Sequence, residues 1–392
     1  MFLDDKPDLK GQLYRCSKCG YCRDTISDEL GFYHICPVYD TLRMEHYCGR
    51  GRTTIALGLV EGAIQFSRPL VNVLNTCLGC GACKEICPEK IDIPAITRAM
   101  REEIVKHEME PPKLKDTDLA IKEKHNIFGE EKPRYKWAED LNLPKKGETL
   151  YFAGCSASYT YPKTARATAK ILLEAGVDVA YLGEDEWCCG APALWSGNTE
   201  LFKEIVKHNL SAIKASGAKR VVASCAVCYN TLKTHYPSVA SELSFKVLHL
   251  SEVIADLIQQ SKIHLQKPVR KKFTYHDPCH LGRAEKIYEQ PREIIRKIPQ
   301  AEFCEMARNR KNALCCGEGV VVSSLFPSLT RKISANRVNE AKEIGANAIV
   351  TCCPGCVTTL SKAAAWLKSR EGVNIEVYDL PIIVAEAMGL KL

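Results

Sequence analysis

Two short stretches, EWCCGAPAL from Glu186 and ALCCGEGVV from Ala313, each set two cysteines side by side before a glycine. Further cysteines surround both pairs in the same rank order. The first set is Cys155, Cys188-Cys189-Gly190 and Cys225-x2-Cys228. The second is Cys279, Cys315-Cys316-Gly317 and Cys353-x2-Cys356. Each set offers five thiols, one more than a four-iron cubane takes. Adjacent cysteines on extended backbone point to opposite sides, so both reach one centre only where the chain turns sharply. Gly190 and Gly317 permit that turn. The chemistry these residues suit is an iron–sulfur assembly with an extra or bridging thiolate. A strained redox disulfide and a structural zinc are the rivals, and neither explains five cysteines in one rank order twice.

The N-terminal cysteines have a different spacing. CLGCGACKEICP supplies Cys77, Cys80, Cys83 and Cys87 before Pro88. This C-x2-C-x2-C-x3-C-P run resembles bacterial ferredoxins, in which the fourth cysteine ligates the other cluster. CSKCGYC supplies Cys16, Cys19 and Cys22, but its expected fourth cysteine is displaced by the insert RDTISDELGFYHI to Cys36-Pro37. The crossed assignment places Cys16, Cys19, Cys22 and Cys87 on one [4Fe–4S] cluster. Cys77, Cys80, Cys83 and Cys36 then hold the second. Cys48 is left as a buried, inert thiol, or as a replacement for Cys36 if the insert reshapes the loop. Cys304 reads as strand packing, and Cys352 aligns with Ser224, outside the shared ligand pattern.

These thiols lie in a chain of 392 residues with 21 cysteines and a net charge of +7. The N-terminal MFLDDKPDLK has no apolar h-region, so no secretory signal is expected. No apolar run of about 18 residues suggests a membrane span. The expected location is a reducing cytoplasm, peripheral to a membrane only through a partner. KPVRKK from Lys267 reads as a solvated linker. The modest charge, without a dense basic helix, argues against a zinc-bearing nucleic-acid binder. No G-x-G-x-x-G follows a strand and no Walker loop occurs, so neither flavin nor nucleotide is expected in this chain.

The elements that position these cysteines fall into four stretches. Residues 1–107 read as a small, mostly helical unit, with helical spacing in GRTTIALGLVEGAIQF and IPAITRAMREEIVKHE. Residues 108–146 are charged and Pro-bearing, a connector with some short helix. Residues 147–265 and 271–392 read as one unit written twice. GAKRVVASCAVCYNTL aligns with GANAIVTCCPGCVTTL, and VLHLSEVIADLI aligns with VYDLPIIVAEAM. Each unit alternates β-branched runs with amphipathic stretches, predicting an α/β fold of βαβ type with parallel sheets. The key cysteines fall just beyond strands, where open α/β sheets place ligands.

The repeated units resemble the cysteine-rich CCG domains of heterodisulfide reductase catalytic subunits. The ferredoxin-like module ahead of them is similar to the membrane-associated version of that subunit. It is similar also to the iron–sulfur subunits of glycolate oxidase, lactate utilisation and anaerobic glycerol-3-phosphate dehydrogenase. The resemblance implies that Cys155, Cys188, Cys189, Cys225 and Cys228 hold one noncubane [4Fe–4S] cluster. Cys279, Cys315, Cys316, Cys353 and Cys356 would hold another. It implies an oxidoreductase subunit of anaerobic metabolism. Electrons would pass from two cubanes to a thiol/disulfide site between the CCG domains, or in reverse. The alternative is a relay without substrate chemistry, linking a flavoprotein or flavin-based complex to a quinone or a membrane cytochrome. Both readings require redox partner subunits. His276 and His280, flanking Cys279, are candidate proton donors to a leaving thiolate, with turn capping as the plainer role. Asp277, Arg283 and Glu318 carry the same ambiguity, and Trp187 is expected to shield its site from water.

Overall fold

A computed structural model of the chain describes residues 3–240 and 242–392. The N-terminal unit gathers helices Pro7–Arg15, Gly49–Val60, Arg68–Asn75 and Ile93–Lys106 around Leu13, Ala56, Leu74, Ile96 and Met100. The last helix forms because Ile93, Ile96, Met100 and Ile104 recur at helical spacing and are all buried. The Asp92 side chain caps it by accepting from the Ala95 N–H. The Gly49 helix stops at Val60, short of the expected Phe66. Gly62 turns to φ +71° there, and the Ile64 N–H returns to the Gly58 carbonyl.

The insert between Cys22 and Cys36 is a hairpin, β1 (Asp24–Ser27) against β2 (Gly31–His34). At its base the Ile35 and Cys36 N–H groups both donate to the Arg23 carbonyl. The extra residues therefore leave and return at one point. The loop lengthens without carrying Cys36 away.

The first repeated unit contains β3 (Thr149–Phe152), β4 (Val179–Ala180), β5 (Arg220–Ala223) and β6 (Lys246–His249), all parallel in the order β4-β3-β5-β6. The second contains β7 (Lys272–Tyr275), β8 (Glu302–Phe303), β9 (Ala348–Thr351) and β10 (Glu376–Asp379). They too are parallel, in the order β8-β7-β9-β10. The two orders are the same relative to the chain, as a duplication requires. Every residue of β3 and β9 is buried, which fits parallel sheets covered on both faces. In each sheet the chain reverses direction between the first and third strands, and the crevice beyond such a switch point is where ligands sit. Cys155 and Cys225 follow those two strands in the first unit, and Cys279 and Cys353 in the second.

The units clasp reciprocally. Helix Leu380–Met388 of the second packs on helix Pro162–Glu174 of the first, and helix Leu250–Gln259 of the first packs on Glu289–Arg296 of the second.

The 108–146 stretch is built into this body. From its helix Pro112–Lys124, Asp118 accepts from Asn198 Nδ2 at 2.8 Å and Ser196 Oγ at 3.4 Å. Burial raises the Asp118 carboxyl from its ordinary 3.8 to about 6. A folded-state carboxyl raised this way stabilises below pH 4, and that stability is lost as pH rises through 6. Asp118→Asn therefore gains in melting temperature relative to the parent as pH climbs from 4 to 6, and the difference levels off above. A constant difference across that window in thermal melts excludes this role.

Candidate metal centres

In the N-terminal unit, Cys16, Cys19, Cys22 and Cys87 line one small cavity with Gly20 and Ile93. Cys83 has Cys80, Cys77 and Cys36 as its near thiols, and Arg52 beside them. These are the two sets expected from the crossed spacing. Arg52 is fully buried, its Nη2 donating to Thr76 Oγ1 and its Nη1 to the Tyr47 carbonyl. Cys48 is wholly buried and donates to the Glu45 carbonyl and carboxylate at 3.1 Å each. It also lies beside Cys22, not with the Cys36 group. Cys19 is exposed, whereas Cys22, Cys36 and Cys77 are buried.

The repeated units each form a string of touching thiols. In the first, Cys155 meets Cys188, Cys188 meets Cys189, Cys189 meets Cys228, and Cys228 meets Cys225. In the second, Cys279, Cys315, Cys316, Cys356 and Cys353 follow in the same order. The strings meet at the interface between the units, where Cys225 Sγ lies 3.9 Å from Cys353 Sγ. At its other end the second string meets the N-terminal unit: contact with Cys315 pulls the Cys80 thiol down to about 6. One sulfur path thus runs from the Cys80 loop through the second unit into the first.

The surroundings suit a sulfur-rich inorganic group. Gly190 has φ +84° and Gly317 φ +92°, the left-handed turns that aim both adjacent cysteines inward. At Gly154 a Cβ would stand 2.8 Å from Cys228 Sγ, so the backbone there makes room for sulfur. Buried N–H donors also face the thiols. Arg134 Nη2 donates to Cys155 Sγ at 3.5 Å while its Nη1 pairs with Glu186 at 3.0 Å. Glu186 also accepts from the Ala153 and Gly154 N–H groups, and burial lifts it to about 7.

His276 brings a ring nitrogen within 4.8 Å of Cys316 and Cys356 sulfurs. Its Nδ1 accepts from Arg337 Nε at 3.1 Å, which leaves the proton on Nε2. Nε2 then carries a proton and not a lone pair for metal, and it is buried with no hydrogen-bond partner among the described residues. His280 Nδ1 lies 3.4 Å from Cys279 Sγ, and its ring stands edge-on to Trp195 at 5.8 Å. Asp277 forms a buried two-pronged pair with Arg292 at 2.7 and 2.9 Å, a structural role. Glu318 accepts from Ser323 Oγ at 2.9 Å, and burial raises it to about 8. Trp187 is sandwiched between His125 and His208, each 3.7 Å away, at the rim of the first string. Cys304 donates to the Phe273 carbonyl, and Cys352 is buried beside Tyr275.

Two clefts of similar size lie near the strings, and Cys279 lines the first of them. One, about 500 Å³, is walled by Trp195, Asn230, Thr234, His280 and Ala284 and by Cys80 of the N-terminal unit. The other, about 520 Å³, has Ser156, Thr160, Thr358, Lys362 and Glu318 on its wall, with Phe128 from the connector. In the aligned repeats, Ser156 and Thr160 match His280 and Ala284, and Thr358 and Lys362 match Asn230 and Thr234. The clefts are therefore the same place in the duplicated fold. The N-terminal unit lines the first, and Ile127 and Phe128 of the connector line the second.

Comparison with known proteins agrees with this division. Residues 149–233 and 273–361 match a cysteine-rich domain family (CCG), and residues 12–91 match a 4Fe-4S dicluster domain family. The chain is 33% identical to a dihydromethanophenazine:CoB–CoM heterodisulfide reductase subunit of Methanosarcina barkeri and 36% identical to that of Methanosarcina acetivorans. Both alignments cover 97% of this chain and 95% of the relative. It is 29% identical to the EtfAB:quinone oxidoreductase of Syntrophomonas wolfei over 80% of this chain and 46% of that one. Among solved structures, a hypothetical protein from Helicobacter pylori shares the fold, with a TM-score of 0.64 at 13% identity over 88% of this chain and 68% of that one.

Proposed function

The chain belongs to the CCG-domain iron–sulfur family that includes these heterodisulfide reductase subunits, and from that premise we propose a disulfide-reducing subunit with four clusters. It is an iron–sulfur oxidoreductase subunit. Cubanes are assigned to Cys16, Cys19, Cys22, Cys87 and to Cys36, Cys77, Cys80, Cys83. Noncubane [4Fe–4S] clusters are assigned to the five cysteines of each repeated string. The observation that carries this reading is the 3.9 Å approach of Cys225 to Cys353, which sets the two five-thiol sites face to face.

Cleaving a disulfide consumes two electrons and two protons and yields two thiols. When bound, the clusters supply single electrons and Lewis-acidic iron. The chain supplies the rest. It holds both sites in buried surroundings, so a disulfide that arrives beside the Cys225–Cys353 contact faces both sites. The cleft lined by Cys279, His280 and Asn230 admits the substrate. His280, beside Cys279, is placed to carry a proton to the departing sulfur. His276, fixed by Arg337, holds its ring beside the sulfurs of Cys316 and Cys356. Redox partner subunits supply or take the electrons, and a flavoprotein is the partner expected.

The test is to purify the chain under argon, count its iron and assay it with a low-potential dye against coenzyme M–coenzyme B heterodisulfide and simpler disulfides. Roughly 16 iron atoms per chain are expected from four four-iron clusters, together with disulfide turnover. Full iron without turnover supports instead a relay without substrate chemistry. That second reading is favoured by the 29% identity to an EtfAB:quinone oxidoreductase. Iron far below this count removes both.

A further inference from the structure

Arg283 is buried, 6% exposed, and no carboxylate pairs with it among the described residues. Its Nε donates to the Cys80 carbonyl at 2.8 Å. Its Nη1 donates to the Ala313 carbonyl at 2.6 Å and to that of Lys311 at 3.3 Å. Its Nη2 is buried with no hydrogen-bond partner among the described residues. The guanidinium therefore fastens the Cys80 loop of the N-terminal unit to the segment that leads into Cys315-Cys316. The acidic groups near it are the thiols of Cys80, Cys279 and Cys315 and the Tyr288 phenol, and the thiols belong to two different candidate centres.

A buried cation without an anion costs several kcal/mol. Neutral carbonyls alone do not offset that. The offset has to come from charge on the sulfurs around it. A positive charge shared by two centres makes adding an electron to either one easier, because charge and hydrogen bonds to the sulfurs set iron–sulfur potentials. The repeat supplies a comparison: the position matching Arg283 in the first unit is Tyr159, and the cation beside the first string, Arg134, is paired with Glu186, whereas Arg283 has no carboxylate. Arg101 fastens the N-terminal unit to the first repeated unit instead. It is fully buried, with Nη2 donating to the Cys77 carbonyl and Nη1 to the Trp195 carbonyl.

We propose that Arg283 is the positioning residue that joins the Cys80 centre to the second repeated unit. It raises the potentials of these two centres together and makes the second unit the one through which electrons reach the disulfide site. The inference rests on the ligand sets proposed above. Iron counting on the complete chain comes first: fewer than four clusters in the parent protein overturns those ligand sets. With four clusters present, an EPR-monitored redox titration compares the parent with Arg283→Gln and Arg283→Lys. In Arg283→Gln two of the four centres shift to more negative potential and the other two stay fixed. Arg283→Lys, which keeps the charge but not the fork, keeps both potentials near the parent values. If the glutamine variant fails to take up iron, the lysine variant decides: parent-like potentials at all four centres support the proposal. Potentials that do not move in Arg283→Gln, that move at all four centres alike, or that fall as far with lysine as with glutamine overturn it.

Discussion

Gly317→Ala is expected to lose the second repeated centre, with iron per chain falling by about a quarter of the roughly 16 atoms expected. Gly317 sits at φ +92°, and a Cβ there would stand 2.8 Å from the Thr330 carbonyl and 2.9 Å from Ser334 Oγ. The first obstacle is main chain inside helix Pro327–Glu343, so it cannot rotate away. The second is also held, because Ser334 Oγ donates to the Cys316 carbonyl and to that of Thr330. A left-handed non-glycine residue costs on the order of 1–3 kcal/mol before any clash. Relief comes by moving the turn, and the turn carries Cys315 and Cys316. The matching change at Gly190 (φ +84°) is milder: its Cβ would meet the Phe202 ring at 2.9 Å, a side chain that can shift. Iron analysis and EPR of the two variants check the ranking. Full iron content in Gly317→Ala contradicts the claim that this glycine aims the paired cysteines.

Much of this site could be read from residue types and spacing alone, because thiol ligation leaves a strong mark in sequence. Cysteines, tight intervals and a glycine after each pair marked both strings, and the repeat marked the duplication. Strands beginning at Thr149, Arg220, Lys272 and Ala348 lie within the β-branched runs that predicted them. The order of those strands carried no such mark, since pairing across a sheet depends on how the connecting helices pack. The approach of Cys225 to Cys353 was equally hidden, for it comes from docking one unit on the other. Arg283 was singled out only as ambiguous, because a cation's role depends on what lacks a partner around it in space. Arg134 was missed altogether. GEEKPRYKW reads as solvated charge, and the residue in its middle is 2% exposed. The one signal available was Glu186, an acid placed directly before Trp187-Cys188-Cys189, which needs a cation if it is buried.

The pseudo-symmetry also sets the two units in different surroundings. Two copies place equivalent clefts on opposite sides of the Cys225–Cys353 contact. The Cys80 loop of the N-terminal unit lines one of them, beside Arg283 of the second unit. Under the function proposed above, electrons from the Cys80 centre would enter the second string on that side.

Arg134→Met carries the largest stability loss expected from a single change outside the cysteines. Arg134 and Glu186 have side chains 2% and 0% exposed, and they pair at 3.0 Å. Removing the cation leaves the carboxylate held only by the Ala153 and Gly154 N–H groups. Breaking a buried pair from one side costs about 3–5 kcal/mol, whereas replacing both partners is often near neutral. Arg134→Met should therefore unfold earlier in urea by that amount, and adding Glu186→Gln should recover most of the loss. Recovery of the fold need not bring back the first centre, because Arg134 also donates to Cys155 Sγ and to the His125 carbonyl. The double variant is expected to fold with a perturbed EPR signal from the first string and a parent-like signal from the second. Single and double variants equally destabilised would mean that Glu186 is not the charge Arg134 neutralises. An unperturbed first-string signal in the double variant would mean that the contact with Cys155 has no bearing on the metal centre.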